Sequence, residues 1–424
     1  MRRLRLILNG TDIARRPDKW FLIAVQPEEL DMFKFPSLLI TSCLLTIVAL
    51  TMLLRPSDGA GVSTRSPDLI VHEWGTFTSV IGREGQPLSW RPLRFESDVP
   101  KFVYSVDEGN SFRGFRYPSK SMSAVTVRME TPVLYFYCSQ ETEVSAKVSF
   151  PHGKITEWYP TAQVSGETIN WASFKIIPDA QVTLQHDSSQ NHYYPARQTD
   201  GAPIQVPTET GVEHEKFLFY RGVGNFSLPV HAKLVGEKFL IQNTSNESIG
   251  KVFLFRRHQG RVGFTILDLA LADKEIDPPL LNGSIEDLRR QLKEMLIEGG
   301  LYEKEADAML NTWRDSWFEE GTRVFYLMPR KTTDAILPLT ITPQPTQIER
   351  VLVGRTELIT PEMEKIVTLG LAKLRNPSAG IRTAARKEMN QFGRFLEPIL
   401  TEILRHNEST QVRSQVEALI DEMN

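Results

Sequence analysis

The sequence predicts a mainly β protein: an antiparallel sandwich-like or barrel-like body with a helical insertion, a C-terminal helical module and a single N-terminal transmembrane helix. Three observations predict this fold class. Short apolar runs alternate with breaks rich in Gly, Pro, Asn and Asp, residues 360–424 show helical periodicity, and residues 35–54 carry no charge. At 424 residues, 41% hydrophobic and 24% charged, the chain can bury two or three cores of ordinary size.

Residues 35–54 are the predicted transmembrane segment. As a helix this run rises about 30 Å, which matches the hydrocarbon core of a bilayer. Basic residues are more frequent before the run than just after it, which favours a cytoplasmic segment at residues 1–34 and a periplasmic body held at a bacterial inner membrane. If translation starts at Met32 instead of Met1, the run has the layout of a cleavable signal, and the body is exported and soluble.

The β-rich domain is predicted to span residues 68–359, after a linker at 55–67 that is rich in Ser, Gly and Pro. In one run, Val127 and Met129 alternate with Arg128 and Glu130, which predicts one buried and one solvent-facing side. Such alternation is typical of an antiparallel sheet. The first set of strand-like runs lies at 69–81, 124–138, 143–150, 168–177, 216–219, 232–242 and 251–255.

A helical insertion is predicted at residues 284–318. Ser284 is a suitable N-cap for its first helix, and a second helix starts near residue 303. The chain then returns to predicted strands at 323–328, 335–341 and 349–353.

The last segment, residues 360–424, contains an internal repeat. Ile381-Arg382 recurs as Val412-Arg413, each time after a polar turn, which predicts paired helices that pack on the body or on a partner. An ordinary helical hairpin that caps the body is the alternative.

Charge and motif content narrow the function classes. A net charge of −3 gives no general attraction to nucleic acid, so no nucleic-acid binding is expected. Cys43 lies in the uncharged run and Cys138 in a strand-like run, so no disulfide is expected. No phosphate-binding loop or dinucleotide fingerprint occurs, and the position four residues after His72 is Thr76 rather than the second histidine of a zinc hydrolase. No cofactor or metal is predicted.

The string His72-Glu73-Trp74 is the most distinctive candidate for a site. In a strand, His72 and Trp74 lie on one face and Glu73 on the other, so the three side chains do not converge on one ion. A hydrogen-bonded histidine within the sheet is the alternative to a functional one.

Aromatic residues next to acids form a second candidate group, at Glu157-Trp158 and at Trp317 with Glu319. Aromatic faces suit carbohydrate, and a pair of carboxylates is what glycoside hydrolysis requires. The alternative is that the tryptophans pack in the core and the acids are surface charges.

These strings resemble those of a group of uncharacterised bacterial proteins recognised by the sequence His-Glu-Trp-Gly-Thr-Phe-Thr, present here at residues 72–78. The resemblance implies no activity, so no catalytic residue is assigned, but it adds Arg221 to the binding candidates. The C-terminal segment separately resembles HEAT repeats, whose implied role is protein binding. The similarity to the His-Glu-Trp-Gly-Thr-Phe-Thr group covers roughly residues 69–361. Its further matching strings lie at 130–137, 150–160, 219–222, 317–321 and 353–361.

The leading functional hypothesis is a membrane-anchored extracytoplasmic binding or assembly module with a protein partner at its C-terminal helices. The alternative is an extracytoplasmic hydrolase acting on a cell-envelope polymer such as a polysaccharide, so whether the chain is an enzyme stays open. The binding candidates are His72, Glu73, Trp74, Glu157, Trp158, Arg221, Trp317 and Glu319.

Overall fold

A nine-stranded sheet forms the centre of the described structure. The computed structural model describes residues 68–92, 98–106, 124–188 and 191–423, all within the compact unit Ser63–Asn424. The strands are β1 (Ile70–Ile81), β2 (Tyr104–Ser105), β3 (Val127–Tyr137), β4 (Thr142–Ser149), β5 (Gly153–Tyr159), β6 (Gln163–Ser165), β7 (Thr168–Ile176), β8 (Ile204–Thr208), β9 (Gly211–Glu215), β10 (Leu218–Gly224), β11 (Val230–Val235), β12 (Lys238–Asn243), β13 (Gly250–His258), β14 (Arg261–Leu269), β15 (Lys274–Ile276), β16 (Gly321–Leu327), β17 (Leu339–Thr342) and β18 (Gln347–Leu358). The helices are α1 (Ile285–Glu298), α2 (Glu303–Thr312), α3 (Arg330–Ile336), α4 (Pro361–Lys373), α5 (Ala379–Asn390), α6 (Leu396–His406) and α7 (Thr410–Met423).

The order of the large sheet is β14-β13-β16-β18-β1-β3-β10-β5-β2. Its central pair, β1 and β18, is parallel, with Thr78 opposite Arg355, and the other neighbours in this sheet are antiparallel. Nearly every residue of β1 is buried, as expected for a strand covered on both faces. A bulge follows Trp74, where a Cβ on Gly75 would lie 2.9 Å from the Cα of Pro132.

One face of the large sheet packs against two smaller sheets. The six-stranded sheet has the order β17-β4-β7-β8-β9 with β6 paired to β7, and the three-stranded sheet has the order β11-β12-β15. In β4, Val144, Ala146 and Val148 are buried while Lys147 is exposed, so this strand is covered on one side only. Its apolar residues join Phe77 of β1 in the main core.

The opposite face is covered by helices. Around Trp74, the buried side chains of α1 and α2 form a second core, and Ser284 caps α1 by accepting a 3.0 Å hydrogen bond from the backbone N–H of Asp287. Around Val80 and Trp90, helices α4, α6 and α7 form a third core. The first core therefore lies between sheets, and the other two lie between sheet and helices.

The antiparallel fold class is corrected to a mixed, sheet-rich body with a C-terminal helical region. The parallel pairing of β1 with β18 joins segments about 280 residues apart, which local periodicity does not encode. The predicted solvent-facing side of β3 is also wrong: Arg128 and Glu130 are 7% and 1% exposed, because helices cover that face.

Two elements differ from their predicted form. The predicted strand at 335–341 begins inside α3 and becomes strand only at β17. The second helix of the insertion ends at Thr312, and turns follow it up to residue 320.

The predicted membrane anchor is also corrected. Within the ranges that the structure describes, no helix is long and apolar enough to cross a membrane. The segment 35–54, with residues 1–34 and the linker 55–67, lies outside those ranges. The single transmembrane helix and the inner-membrane location inferred from it are therefore unsupported.

Candidate functional site

A band of charged side chains crosses the helix-covered face of the large sheet, between the second and third cores. Strand register aligns it: Thr78 of β1 lies opposite Arg355 of β18 on one side and Arg128 of β3 on the other. Farther out, Arg323 pairs with Glu357 and Arg221 with Glu157. The charged band comprises Asp98, Arg128, Glu130, Glu157, Arg221, Glu319, Arg323, Arg355, Glu357 and Arg394.

At one end of the band, two arginines share carboxylates. Arg323 Nε donates to Glu357 Oε2 at 2.7 Å, and neither side chain is exposed to solvent. Arg355 Nη2 donates to Glu319 Oε1 at 2.7 Å and lies 3.5 Å from Glu357 Oε2. An unpaired charge at such depth costs several kcal/mol. These pairs therefore offset the desolvation cost of the charges at this end of the band.

Glu130 is the centre of the band. It accepts hydrogen bonds from Thr78 Oγ1 at 2.8 Å and from Arg394 Nη1, which comes from the turn before α6. Burial opposes its ionisation, but the charges of Arg394, Arg128 and Arg355 lower its pKa to about 2. The carboxylate is therefore ionised in the folded protein.

At the other end of the band, Arg221 binds two carboxylates. Its Nε donates to Glu157 Oε2 at 2.9 Å, and its Nη1 donates to Asp98. Against the effect of burial, the charges of Arg221 and Arg128 hold the pKa of Asp98 well below its usual range.

His192 connects this end of the band to a surface cleft. Its Nδ1 lies 3.5 Å from Asp98 Oδ2, and its Nε2 lies 2.7 Å from Asp315 Oδ1. Burial opposes the charged imidazolium, but the two carboxylates raise the pKa of His192. The cleft, of about 490 Å³, is lined by Asn191, His192, Tyr194, Pro195, Gln198, Asn311, Arg314 and Asp315.

His72 lies on the same face but in a separate network. Its Nδ1 lies 2.7 Å from Glu305 Oε2 of α2, and the hydroxyl of Tyr137 donates to the other oxygen of Glu305 at 2.8 Å. The ring of Tyr302 lies 4.4 Å from the imidazole ring, between centroids. Trp74 is fully buried in the core against Tyr135. Both candidates are therefore packed inside the protein.

Glu73 points to the other face, as predicted. It accepts a 2.6 Å hydrogen bond from Arg350 Nε and a second one from the hydroxyl of Tyr220. Arg350 also donates to Asp334 Oδ1 at 2.8 Å. This cluster lies between the sheets and shares no described contact with His72 or with the charged band.

Of the remaining candidates, the structure brings Glu157, Arg221 and Glu319 into the charged band and leaves the tryptophans outside it. Trp158 is partly buried on the opposite face and stacks on Tyr104 at 6.1 Å between ring centroids, and Trp317 is fully buried against Phe325. The sequence interpretation missed Asp98, Arg128, Glu130, Arg323, Arg355, Glu357 and Arg394. The available signal was charge within strand-like sequence, as in Arg128-Met-Glu130 and Arg355-Thr-Glu357. The first of these predicts a solvent-facing side, which is wrong.

The chemistry of the band favours recognition over proton transfer. A general acid needs a carboxyl whose pKa is raised toward neutrality, whereas Glu130 and Asp98 are held ionised by arginines. Among the residues in the described ranges, no three His, Cys, Asp or Glu side chains are grouped so that they could hold a metal ion.

No family model and no curated protein matches the chain. Solved structures that are similar to it include the yeast δ-COP-I μ-homology domain, at a TM-score of 0.28 and 8% identity, over 69% of this chain and 98% of that chain. The same values hold for that yeast domain complexed with the Dsl1 WxWxV peptide. The Fcho1 μ-homology domain of Danio rerio with bound Eps15 peptide follows at a TM-score of 0.24 and 7% identity, over 69% of this chain and 96% of that chain. TM-scores this low establish no common fold, so we transfer neither fold nor function from these structures.

Proposed function

We propose that the chain is a protein-binding module that docks its exposed basic helix α5 on an acidic surface of another protein. The observation that carries this proposal is that the C-terminal helices differ in how many of their residues are buried. Helices α4 and α6 bury many of their residues, whereas α5 buries only Ala385 and Met389, and the described side chains of α7 include only Val416 as buried. The outer face of α5 is therefore available to a partner.

The charge of this face indicates an acidic partner. The segment 373–390 contains five basic residues and one acidic residue, and Arg386 and Lys387 on α5 are exposed. A cluster of one sign accelerates association with a surface of the opposite sign and selects against other partners.

Polar links fix the helical module to the sheet. Gln86 Nε2 donates to Glu402 of α6 at 2.9 and 3.0 Å, and Arg91 Nε donates to Glu397 of the same helix at 2.8 Å. Together with the contact of Arg394 to Glu130, they hold α6 on the body. The helices are thus presented as part of one surface.

The repeated arginines support the proposed resemblance to HEAT repeats. Arg382 of α5 donates to the backbone carbonyls of Asn376 and Pro377 at 2.8 Å, and Arg413 of α7 donates to the carbonyl of Leu404. Arg382 thus hydrogen-bonds the turn before its own helix, and Arg413 hydrogen-bonds the last turn of the preceding helix, α6. Stacked helix pairs of this kind expose long surfaces suited to protein binding.

The hydrolase alternative has less support. It requires His72, Glu73, Glu157 and Glu319 to meet in one pocket, but the contacts above place His72 and Glu73 in two networks of their own. Glu157 and Glu319 are both in the charged band, where each is paired with an arginine.

A crosslinking experiment tests the proposed function. The full-length chain, carrying a photoactivatable residue in place of Arg386, is irradiated in native cells, and the adducts are compared with those formed from Lys147, an exposed residue of β4. We expect one acidic protein to crosslink at Arg386 and not at Lys147. Lys387→Glu should lower the yield at least about tenfold through charge reversal, which corresponds to 1.4 kcal/mol, whereas Lys147→Glu should not. The proposal is refuted if the protein stays uncrosslinked at position 386, or if positions 386 and 147 give the same adducts.

A further inference from the structure

The middle of the charged band contains more hydrogen-bond donors than acceptors. Arg394 and Thr78 occupy the two oxygens of Glu130, and Arg128 Nη1 lies 3.5 Å from one of them. Arg355 is close enough to lower the pKa of the same carboxyl. Three guanidinium groups therefore lie around one carboxylate, each of whose oxygens already accepts a hydrogen bond.

Several N–H groups in this cluster have no acceptor. Within the ranges that the structure describes, Arg355 Nε and Nη1, Arg394 Nη2 and Arg128 Nε are buried and lack a hydrogen-bond partner. The side chain of Arg355 is 0% exposed and that of Arg128 is 9% exposed. An unmatched buried donor destabilises the folded state, and more so when it is charged. Four such atoms in one cluster indicate a site that takes an acceptor with several oxygens.

Electrostatics around Arg355 also favour an anion. Burial, followed by repulsion from Arg394 and Arg323, lowers the pKa of Arg355. Burial likewise lowers the pKa of Arg128. A negative group placed among these side chains would relieve both effects, because it stabilises the charged guanidinium groups.

Phe395 fixes two of the arginines and forms an apolar wall. The Cζ atoms of Arg355 and Arg394 both lie 5.1 Å from the centroid of its ring, within cation–π range. The guanidinium planes are thus oriented before any ligand arrives, which lowers the entropic cost of binding.

We propose that Arg355, Arg394 and Arg128 form a binding site for an oxyanion beside Glu130. Guanidinium groups bind phosphate, sulfate and carboxylate groups through N–H···O bonds, and the buried nitrogens without acceptors on Arg355, Arg394 and Arg128 supply donors for such bonds. The side chains of the band nearest the solvent here are Glu319 and Arg394, which are 23% and 13% exposed. This site is independent of the α5 surface, and the anion is either a free inorganic ion or the charged group of a small molecule.

Calorimetric titration of the full-length chain tests this inference directly. Sodium phosphate, sodium sulfate and sodium acetate are titrated separately at constant ionic strength, with chloride as the reference. We expect saturable binding with a dissociation constant of about 1 mM or below for at least one of the three. A response to phosphate and sulfate alone indicates a tetrahedral group, and a response to acetate indicates a carboxylate. Three titrations that match chloride would overturn the proposal.

Two substitutions locate the site. Arg355→Met keeps an unbranched apolar side chain and removes the guanidinium group, so the affinity for the bound anion should fall at least about tenfold. Arg261→Met at the exposed start of β14, outside both proposed sites, is the matched control and should bind the anion like the unsubstituted chain. Equal affinity in all three proteins would place the anion elsewhere and refute the assignment.

A third substitution guards against loss of folding. If near-ultraviolet circular dichroism shows that Arg355→Met is unfolded, Arg394→Lys retains a positive charge and removes the planar fork. We expect this variant to bind the anion more weakly while its circular dichroism is unchanged. Unchanged affinity in a folded Arg394→Lys variant would exclude Arg394 from the site and overturn the three-arginine assignment.

Discussion

Glu130 is a carboxylate that folding removes almost completely from water, with 1% of the residue exposed. Burial alone would favour the protonated form, but the surrounding arginines reverse this and lower its pKa to about 2, from an ordinary value of 4.5. The ionised carboxylate is therefore part of the folded state, and its charge offsets the desolvation of Arg128 and Arg394.

This lowered pKa makes a prediction about acid stability. Because the folded pKa is below the unfolded one, the stabilisation is present in full above about pH 5 and is lost progressively as the pH falls toward 2. Glu130→Gln should lower the free energy of unfolding at pH 7 by about 3 kcal/mol and flatten its dependence on pH below 5. Urea denaturation at several pH values measures both effects.

Glu388→Gln is the control for this prediction. Glu388 pairs with Lys373 at 3.1 Å, but both side chains are more than 40% exposed, so its loss should change the free energy of unfolding by less than about 0.5 kcal/mol. The interpretation of Glu130 is wrong if the two variants lose the same stability, or if Glu130→Gln keeps the acid sensitivity of the unsubstituted chain.

At the scale of elements, the close packing of β16 against β18 depends on a glycine. A Cβ on Gly354 would lie 2.1 Å from Cζ of Tyr326, the residue opposite it in the register, and Tyr326 is fully buried. Because the ring is fully buried, a methyl group must displace either the ring or the strand. The adjacent Arg355 would move with it.

We therefore predict that Gly354→Ala is destabilising by about 1 to 3 kcal/mol, the usual cost of overpacking a core. Gly380→Ala in the first turn of α5 is the matched control. A Cβ there meets only Ser378 Oγ at 3.8 Å, so the helix propensity of alanine should leave stability equal or raised by up to about 1 kcal/mol. Denaturant midpoints compare the two, and a Gly354→Ala variant as stable as the control would show that β18 can shift freely.

The elements show how far the sequence alone predicts this structure. The runs at 69–81 and 124–138 contain β1 and β3, and Ser284 caps α1 as predicted. Apolar spacing and capping act over a few residues, so they specify an element wherever it packs. Pairing partners and covering layers are set by distant segments: β18 beside β1 and the helices over Arg128 follow from no local pattern.

The candidate site likewise depends on contacts between distant segments, which local sequence patterns do not predict. Glu157, Arg221 and Glu319 were singled out on local strings, and the structure connects them through ion pairs with residues far away in the chain. The link between Glu130 and Arg394 spans 264 positions. If a sheet is covered on one face only, charged residues within a strand lie on the solvent-facing side. If both faces are covered, as here, the same residues are buried and must pair with one another.

At the scale of the whole molecule, the C-terminal helices are part of the core rather than an appendage. Val80 and Trp90 of the body share a buried cluster with Phe395, Ile399 and other residues of α4, α6 and α7. The sequence places a domain boundary between 359 and 360, whereas apolar packing and the contact of Glu130 with Arg394 cross it. Removing the module would expose an apolar surface and would also leave Glu130 without its partner Arg394.

A chain shortened to end at residue 359 should therefore lose roughly 5 kcal/mol or more of its free energy of unfolding, as much as the whole stability of many domains. The helix α7 provides the matched control: only Val416 among its residues of described side-chain burial is buried, so a chain ending at residue 407 should keep a cooperative unfolding transition. Calorimetry and binding of a hydrophobic dye compare the two proteins. If the shorter chain unfolds cooperatively at an unchanged temperature without binding dye, residues 68–359 form an independent domain, and the buried contacts with α4 and α6 contribute little to its stability.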